Sequence, residues 1–537
     1  MIELGMRQLN AMANLADELI LDKNKKSELT EFLKVHSESN FIFLDRFCEG
    51  YFYYILGNCS STLYRYSDES WFSKNLIDTV KLYEKSALLL EKHKNDRGLL
   101  SFVLTNLGNY LSSQGRCFCA QVYWDKAIEL DRNPVVLIAK AEGLLFRSAQ
   151  LFDESHTQIH YYYCNNLIKI ALENLDKLEE EQKTPLLVNG SLNVFNSWFE
   201  DMFQEENFSF LEDYKQKTRS KEEARYLKWV ADKKLFLNDL NDLCTHEIVY
   251  QDILGLPSTT HKLNSLLSIK EELVFHSNYD ELRNDFTYAR FLIFQSFEIG
   301  VDTKHYYNQT YSHTEDMLYA VDNLKTSHMK SAFKILYSIF DKVSYFLAKY
   351  LNLDIDDRDI TFSRIFGNYT KNGFEPRKEL KNSSNHFLHA LFFILKEIEV
   401  GNKLQDKKHR LAKIRNHLEH RSFRIIDDFG YELNTKYDSV TPYNYIEAFE
   451  RKASLESHNL TNSTEFKKLI DDIEEKKLKK DYIFEMPLSE FENSLMDLTR
   501  LVRNTIMYLS LAINFEERLK KDHNDALIFE KSVPLKR

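Results

Sequence analysis

The chain has 537 residues, which is enough for about two to four domains, and a formal net charge of −11. It contains 14 Gly and 7 Pro against 38 Phe and 30 Tyr, too few turn-forming residues for the many tight turns of a β-rich fold. The composition therefore predicts an all-α protein, and the acidic total excludes a protein that coats nucleic acid along its whole surface.

Helical repeats are predicted in the first third of the chain, to about residue 180. Between Leu104 and Pro134 the apolar and small residues fall at the spacings of a tetratricopeptide repeat, which is a pair of packed helices. Small residues such as Gly108 let the two helices approach, and Trp124 fills the space between them. Weaker copies are predicted before and after this pair, around Gly57 and over 135–178. These repeats either bind a protein or peptide partner or only support the rest of the chain.

A helical connecting region is predicted over 181–315; its first part, 180–220, is polar and charged, with one aromatic helix around Phe195 to Phe203. Ahead of it, His156 and His160 lie one helical turn apart, but no third ligand follows at metal-site spacing, so ordinary packing is expected. Within it, a helix is predicted to end near Lys234 and an Asx-rich turn to follow.

Amphipathic helices dominate the predicted C-terminal domain, 316–537. Their inward positions recur every three or four residues. The helices are marked by Met329, Phe333, Leu336, Phe340, Val343 and Leu347; by Phe387, Leu391, Ile394 and Ile398; and by Phe491, Leu495, Leu498, Val502, Thr505 and Leu509 after Pro487. Between the first and the second of these helices, the segment Ile360 to Phe366 is predicted to be short and extended.

Several classes of protein are excluded by what the sequence lacks. It has no apolar run long enough to span a bilayer and no signal peptide. Its six Cys show neither CxxC pairing nor a disulfide-framework spacing, which favours a reducing cytoplasm. No Gly-rich phosphate loop, zinc-protease motif or serine-hydrolase motif is present, and neither a metal nor a cofactor is expected.

One basic stretch departs from the acidic balance of the chain. Between Lys403 and Arg424 there are eight Lys or Arg and only two acidic residues. Its centre, 414–421, reads IRNHLEHR, on an apolar stripe that predicts a helix. Near neutral pH a His can transfer a proton, and an Arg can fork onto two phosphate oxygens. These groups suit phosphodiester cleavage without a metal.

Helical geometry places a constraint on this chemistry. At 3.6 residues per turn, Asn416 and His420 share a face, while Arg415 and His420 point about 140° apart. One straight helix cannot easily aim both groups at one phosphate. Either the helix ends within the motif, or a second copy of the chain completes the site.

An Arg followed by a polar residue, three more residues and a His, closing an amphipathic helix late in a helical domain, resembles the HEPN superfamily. The resemblance implies a helical bundle that dimerises and joins two motifs into a metal-independent RNase site. It assigns Arg415 and His420 as the catalytic pair and Asn416 as the supporting polar residue. We expect Lys413, Arg421 and Arg424 to contact RNA. Residues 225–243 resemble the junction of a bacterial HEPN branch that carries upstream helical repeats.

The predicted architecture is therefore all-α, with tetratricopeptide-like repeats at 1–180, a connecting region, and a HEPN-type bundle at 316–537. The first functional hypothesis is a homodimeric endoribonuclease, regulated by its repeats and, by resemblance, part of a prokaryotic toxin or anti-phage defence system. The second is a non-catalytic scaffold whose bundle serves for dimerisation or for nucleotide or RNA binding. In the third, a partner enzyme modifies the bundle.

Overall fold

The computed structural model describes residues 2–66, 71–92, 97–151, 153–203, 208–257, 259–262, 269–311, 319–370, 373–399, 407–437, 446–457, 461, 463–478, 483–521 and 529–532. Helices account for most of this part of the chain, so the predicted all-α class is confirmed. The helices are α1 (Met6–Leu21), α2 (Lys26–Glu38), α3 (Arg46–Tyr66), α4 (Lys74–Leu90), α5 (Arg97–Ser113), α6 (Cys117–Leu130), α7 (Pro134–Ser148), α8 (Glu154–Leu172), α9 (Glu180–Lys183), α10 (Ser191–Met202), α11 (Phe210–Asp213), α12 (Lys221–Asp232), α13 (Ile269–Glu298), α14 (Leu324–Tyr350), α15 (His386–Glu399), α16 (Lys407–His420), α17 (Asp428–Tyr437), α18 (Ile446–Ser457), α19 (Thr464–Leu478) and α20 (Leu488–Lys521).

Short strands pair two by two within this helical framework. The strands are β1 (Ile2–Leu4), β2 (Phe41–Phe43), β3 (Thr259–Lys262), β4 (Gly367–Thr370), β5 (Gly373–Pro376), β6 (Ser422–Ile426), β7 (Ile483–Pro487) and β8 (Phe529–Ser532). The pairs β1–β2 and β6–β7 are parallel, while β3–β8 and β4–β5 are antiparallel.

The amphipathic patterns of the C-terminal half correspond to α14, α15 and α20, and every inward position named for them is buried. The extended segment predicted over Ile360 to Phe366 is wrong. The carbonyl of Thr361 instead accepts hydrogen bonds from the backbone N–H groups of Arg364 and Ile365, which closes a turn. The Arg377 guanidinium donates to three carbonyls around this turn and fixes it.

The chain divides into two compact units, each assembled from separate segments. The first contains Met1–Asp280, Val343–Glu397 and Arg503–Arg537, and the second contains Glu281–Lys342 and Ile398–Val502. The three-domain division at 1–180, 181–315 and 316–537 stays a prediction, and its last boundary lies outside the described residues.

In the first unit, α3 to α8 form three consecutive helix pairs that pack closely through small residues. A Cβ atom added at Gly108 would lie 2.5 Å from the indole nitrogen of Trp124, and one at Gly143 would lie 2.2 Å from the far edge of the same ring. The indole N–H donates to Asn109 Oδ1 at 3.0 Å. The predicted close approach at Gly108 is therefore present. That these pairs are tetratricopeptide repeats stays a prediction.

The Asx-rich segment after α12 is buried in the first unit. The chain leaves α12 through Lys234, whose φ of 56° is left-handed, and enters a 3₁₀ turn at Asp239–Asp242. Arg503 of α20 donates to both carboxylate oxygens of Asp242, at 3.0 and 3.3 Å, and to the carbonyls of Phe236 and Asn238. Sequence reasoning found the turn but not this buried guanidinium, since the partners are 261 residues apart.

His156 and His160 are held by the same buried turn. His156 Nδ1 and His160 Nε2 each lie 2.8 Å from a different carboxylate oxygen of Asp239. Arg147 Nη2 lies 3.5 Å from the other ring nitrogen of His160, which fits a neutral ring that accepts from Arg147 and donates to Asp239. Burial and the charge of Arg147 lower the pKa of His160 to about 4. These contacts are structural packing, as the sequence favoured.

In the second unit, β6 is hydrogen-bonded along both of its edges. One edge of β6 pairs with β7 in parallel, from Ser422 opposite Ile483 onward. On its other edge, the backbone N–H of Val321 donates a hydrogen bond to the carbonyl oxygen of Ile425, with 2.9 Å between nitrogen and oxygen. Because α16 runs directly into β6 and β7 runs directly into α20, these ladders fix where the basic helix ends.

Candidate active site

The basic stretch forms α16, which ends at His420, the last residue of the predicted motif. Leu411 and Ile414 are buried, and each apolar side chain of this size contributes about 1.5–3 kcal/mol when it is removed from water. Arg410, near the start of the helix, forms an ion pair with Glu490 of α20. Leu404, the first residue of the predicted apolar stripe, and Asp406, one of the two acidic residues of the basic stretch, lie outside the described residues. The buried side chains and the ion pair anchor the first half of the helix.

The motif is helical throughout, so the alternative that the helix ends within it is wrong. Arg415 lies on the less exposed side of α16, with 33% of its side chain exposed. Its guanidinium stands over the ring of Tyr337, 5.6 Å from the ring centre, and its Nη1 lies 3.4 Å from Asn416 Oδ1. These contacts hold the guanidinium beside the helix.

Glu419 lies close to both proposed catalytic groups. Its Oε2 atom lies 2.8 Å from Arg415 Nε and 3.7 Å from His420 Nε2. The Nε–H group does not point at this oxygen, and among the described residues it has no hydrogen-bond acceptor. One carboxylate therefore neutralises Arg415 while leaving a shielded N–H donor without an acceptor. Sequence reasoning counted Glu419 only as an opposing charge, although its i, i+4 spacing from Arg415 is the signal for this ion pair.

The two histidines of the motif have different environments. His417 is buried, its Nδ1 lies 2.9 Å from the carbonyl of Lys413, and its ring packs against Phe484 with centres 5.0 Å apart. His420 is 66% exposed at the end of the helix. Of the two, only His420 is accessible to a substrate.

The exposed face of α16 carries Lys413, Asn416 and His420, at spacings of three and four residues. At 1.5 Å per residue this face is about 10 Å long. Arg421 is exposed just beyond it. Arg424 forms an ion pair with Glu485 at 3.3 Å, so an incoming phosphate would compete with that carboxylate.

No group of three or more His, Cys, Asp or Glu side chains in the described ranges is arranged to hold a metal ion. At the proposed site the available groups are a guanidinium, an amide, an imidazole and a carboxylate. Together they can bind an anion and transfer a proton.

The fold and this site define a helical protein with an Arg-x4-His motif on a basic, partly exposed helix. Residues 266–463 match the family model described as LA2681-like HEPN. This segment, which includes the whole motif, is therefore a HEPN domain. Most HEPN domains are ribonucleases, and some HEPN domains bind nucleotides instead. No curated protein and no solved structure was found to match the chain.

Every helix in the described part of the chain is too short or too polar to cross a lipid bilayer.

Proposed function

We propose that the protein is a metal-independent endoribonuclease that acts through Arg415 and His420. The observation that carries the proposal is that one basic helix presents both an exposed imidazole, His420, and a guanidinium, Arg415, whose Nε–H group has no acceptor among the described residues. The membership of this segment in the HEPN domains supports the same class of reaction.

In the proposed reaction, the ribose 2′-hydroxyl of RNA attacks the adjacent phosphorus. His420 takes the proton of that hydroxyl or gives one to the departing 5′-oxygen. Arg415 binds the phosphate oxygens as negative charge builds up, and its Nε–H gains the acceptor that it lacks. The products are a 2′,3′-cyclic phosphate and a 5′-hydroxyl, and DNA resists cleavage because it has no 2′-hydroxyl.

One chain supplies one exposed histidine of this motif, whereas the reaction needs both a general base and a general acid. We propose that two copies associate through the C-terminal bundle and bring two motifs together. Asn416 then holds the phosphate or the guanidinium, and Lys413, Arg421 and Arg424 bind neighbouring phosphates.

The biological role proposed is a regulated toxin or anti-phage defence effector. Uncontrolled RNA cleavage harms its own cell, so activity needs a brake. We assign that brake to the helical repeats, released by a protein or peptide trigger. This role rests on analogy with other HEPN proteins.

The test uses an RNA oligonucleotide that contains one ribose among deoxyriboses, incubated with wild type, Arg415→Ala and His420→Ala. Cleavage by wild type at the single ribose, and at least a hundredfold less by either variant, is the expected result. Arg500→Ala, an exposed arginine of α20, is the control for loss of one positive charge. Cleavage of an all-DNA oligonucleotide would contradict the mechanism.

The second candidate function is a non-catalytic bundle that binds RNA or nucleotides or mediates dimerisation. The ion pair between Arg415 and Glu419 favours it, because a neutralised guanidinium also suits a structural role. Under this alternative, Arg415→Ala and His420→Ala leave binding and phenotype largely intact.

A further inference from the structure

The outer face of α10 exposes a stripe of large apolar side chains. Val194, Trp198 and Met202 follow one another at intervals of four residues, so they occupy one helix face about 12 Å long. The opposite face, with Leu192 and Phe199, is buried. This helix therefore has one apolar face that packs inside the first unit and a second that meets solvent.

The loop that precedes the helix also exposes apolar side chains. Leu187 and Val188 are exposed there, and the five apolar side chains are between 42% and 83% exposed. Trp198 is held in place by edge contacts with Tyr161, at 5.7 Å between ring centres, and with other aromatic rings. Single exposed apolar residues are ordinary, but several large ones on one helix face, with Trp198 packed against other rings, indicate an interaction site.

The chain segment that contains this stripe is strongly negative. Residues 173–213 contain eleven acidic and two basic residues, a net charge of −9 in a chain whose total is −11. One of the two lysines, Lys183, already forms an ion pair with Glu180. Asp201 is exposed and flanks the apolar stripe on α10. An apolar surface next to acidic side chains favours binding of a partner that is apolar at its centre and positively charged around it.

We propose that the α10 surface, formed by Leu187, Val188, Val194, Trp198, Met202 and Asp201, docks a basic amphipathic helix of a partner protein. The apolar side chains of that helix lie along the stripe, and its Lys and Arg residues face the acidic side chains. The same charge disfavours other occupants. A second copy of the chain would bring together two segments that each carry a net charge of −9, and anionic lipid or nucleic acid would be repelled.

The probe is a fluorescein-labelled 14-residue peptide of Leu and Lys that forms an amphipathic helix. A scrambled peptide of the same composition serves as the control for charge alone. Binding is measured by fluorescence anisotropy with the full chain, in wild type, Val194→Asp and Asp201→Lys. Val122→Asp, which changes an exposed valine of α6, is the matched control variant. Circular dichroism verifies that each variant is folded.

We expect wild type and Val122→Asp to bind the amphipathic peptide at least tenfold more tightly than the scrambled one. We expect Val194→Asp to lose at least tenfold in affinity, and Asp201→Lys to lose several-fold at low salt. Equal binding of the two peptides, or unchanged affinity in Val194→Asp, would overturn the proposal. A wild-type dimer that Val194→Asp dissociates, seen by sedimentation velocity, would show that a second copy covers this surface and would also overturn it. None of these outcomes depends on RNA cleavage.

Discussion

Removing the buried guanidinium of Arg503 tests the packing of the first unit. Only 3% of this side chain is exposed. Arg503→Met keeps an aliphatic side chain of similar length, but it removes the hydrogen bonds to Asp242 and to two backbone carbonyls. Breaking a buried pair by deleting one partner costs about 3–5 kcal/mol, because the remaining charge is left poorly compensated. Arg147, 3.5 Å from Asp242, keeps part of that compensation, so we expect the lower end of this range.

Thermal unfolding followed by circular dichroism measures this effect. For a unit of about 370 residues, a loss of 3–5 kcal/mol lowers the Tm by about 4–6 °C. Arg500→Met is the matched control, since Arg500 lies one turn earlier on α20, is 46% exposed and pairs with the exposed Asp497. It should lower the Tm by less than about 1 °C. Equal Tm shifts for Arg503→Met and Arg500→Met would show that the buried bonds of Arg503 do not stabilise the first unit.

Three further predictions concern single side chains. Glu419→Gln removes the charge that competes for Arg415, so affinity for a non-cleavable 2′-O-methyl RNA should rise about 3–10-fold; weaker binding would mean that the carboxylate positions the guanidinium. His160 has a pKa of about 4 in the folded chain and about 6.5 when unfolded, so acidification through this window should cost at most about 3 kcal/mol of stability. Urea midpoints between pH 7 and pH 4 should therefore fall less in His160→Gln than in wild type, and equal slopes would contradict this assignment. Gly108→Ala, which forces a Cβ against Trp124, should destabilise by about 1–3 kcal/mol in the same urea assay, whereas the exposed Gly300→Ala should not.

The sequence predicted most of the helical framework because helical periodicity is a local signal. The inward positions of α14, α15 and α20 followed from spacing alone, and so did the packing contact at Gly108. The segment Ile360 to Phe366 was misjudged because its form depends on Arg377, which lies beyond the reach of local propensity.

The sequence predicted which residues form the candidate site but not how their side chains are arranged. The sequence placed Arg415 and His420 on a basic helix, and their divergence of 140° followed from helical geometry. It did not distinguish the buried His417 from the exposed His420, because that difference depends on Phe484, 67 residues away along the chain. The role of Glu419 became visible only with the side-chain positions.

The measurement that tests the central claim most directly is incubation of purified wild type and His420→Ala with total RNA and tRNA in EDTA. We expect cleavage by wild type alone, with 2′,3′-cyclic phosphate ends that a cyclic-phosphate-specific ligation detects. Equal cleavage by both proteins would contradict the assignment of His420 and indicate a contaminating nuclease. No cleavage by wild type, even with a dimer present and a trigger supplied by infected-cell extract, would contradict the endoribonuclease itself.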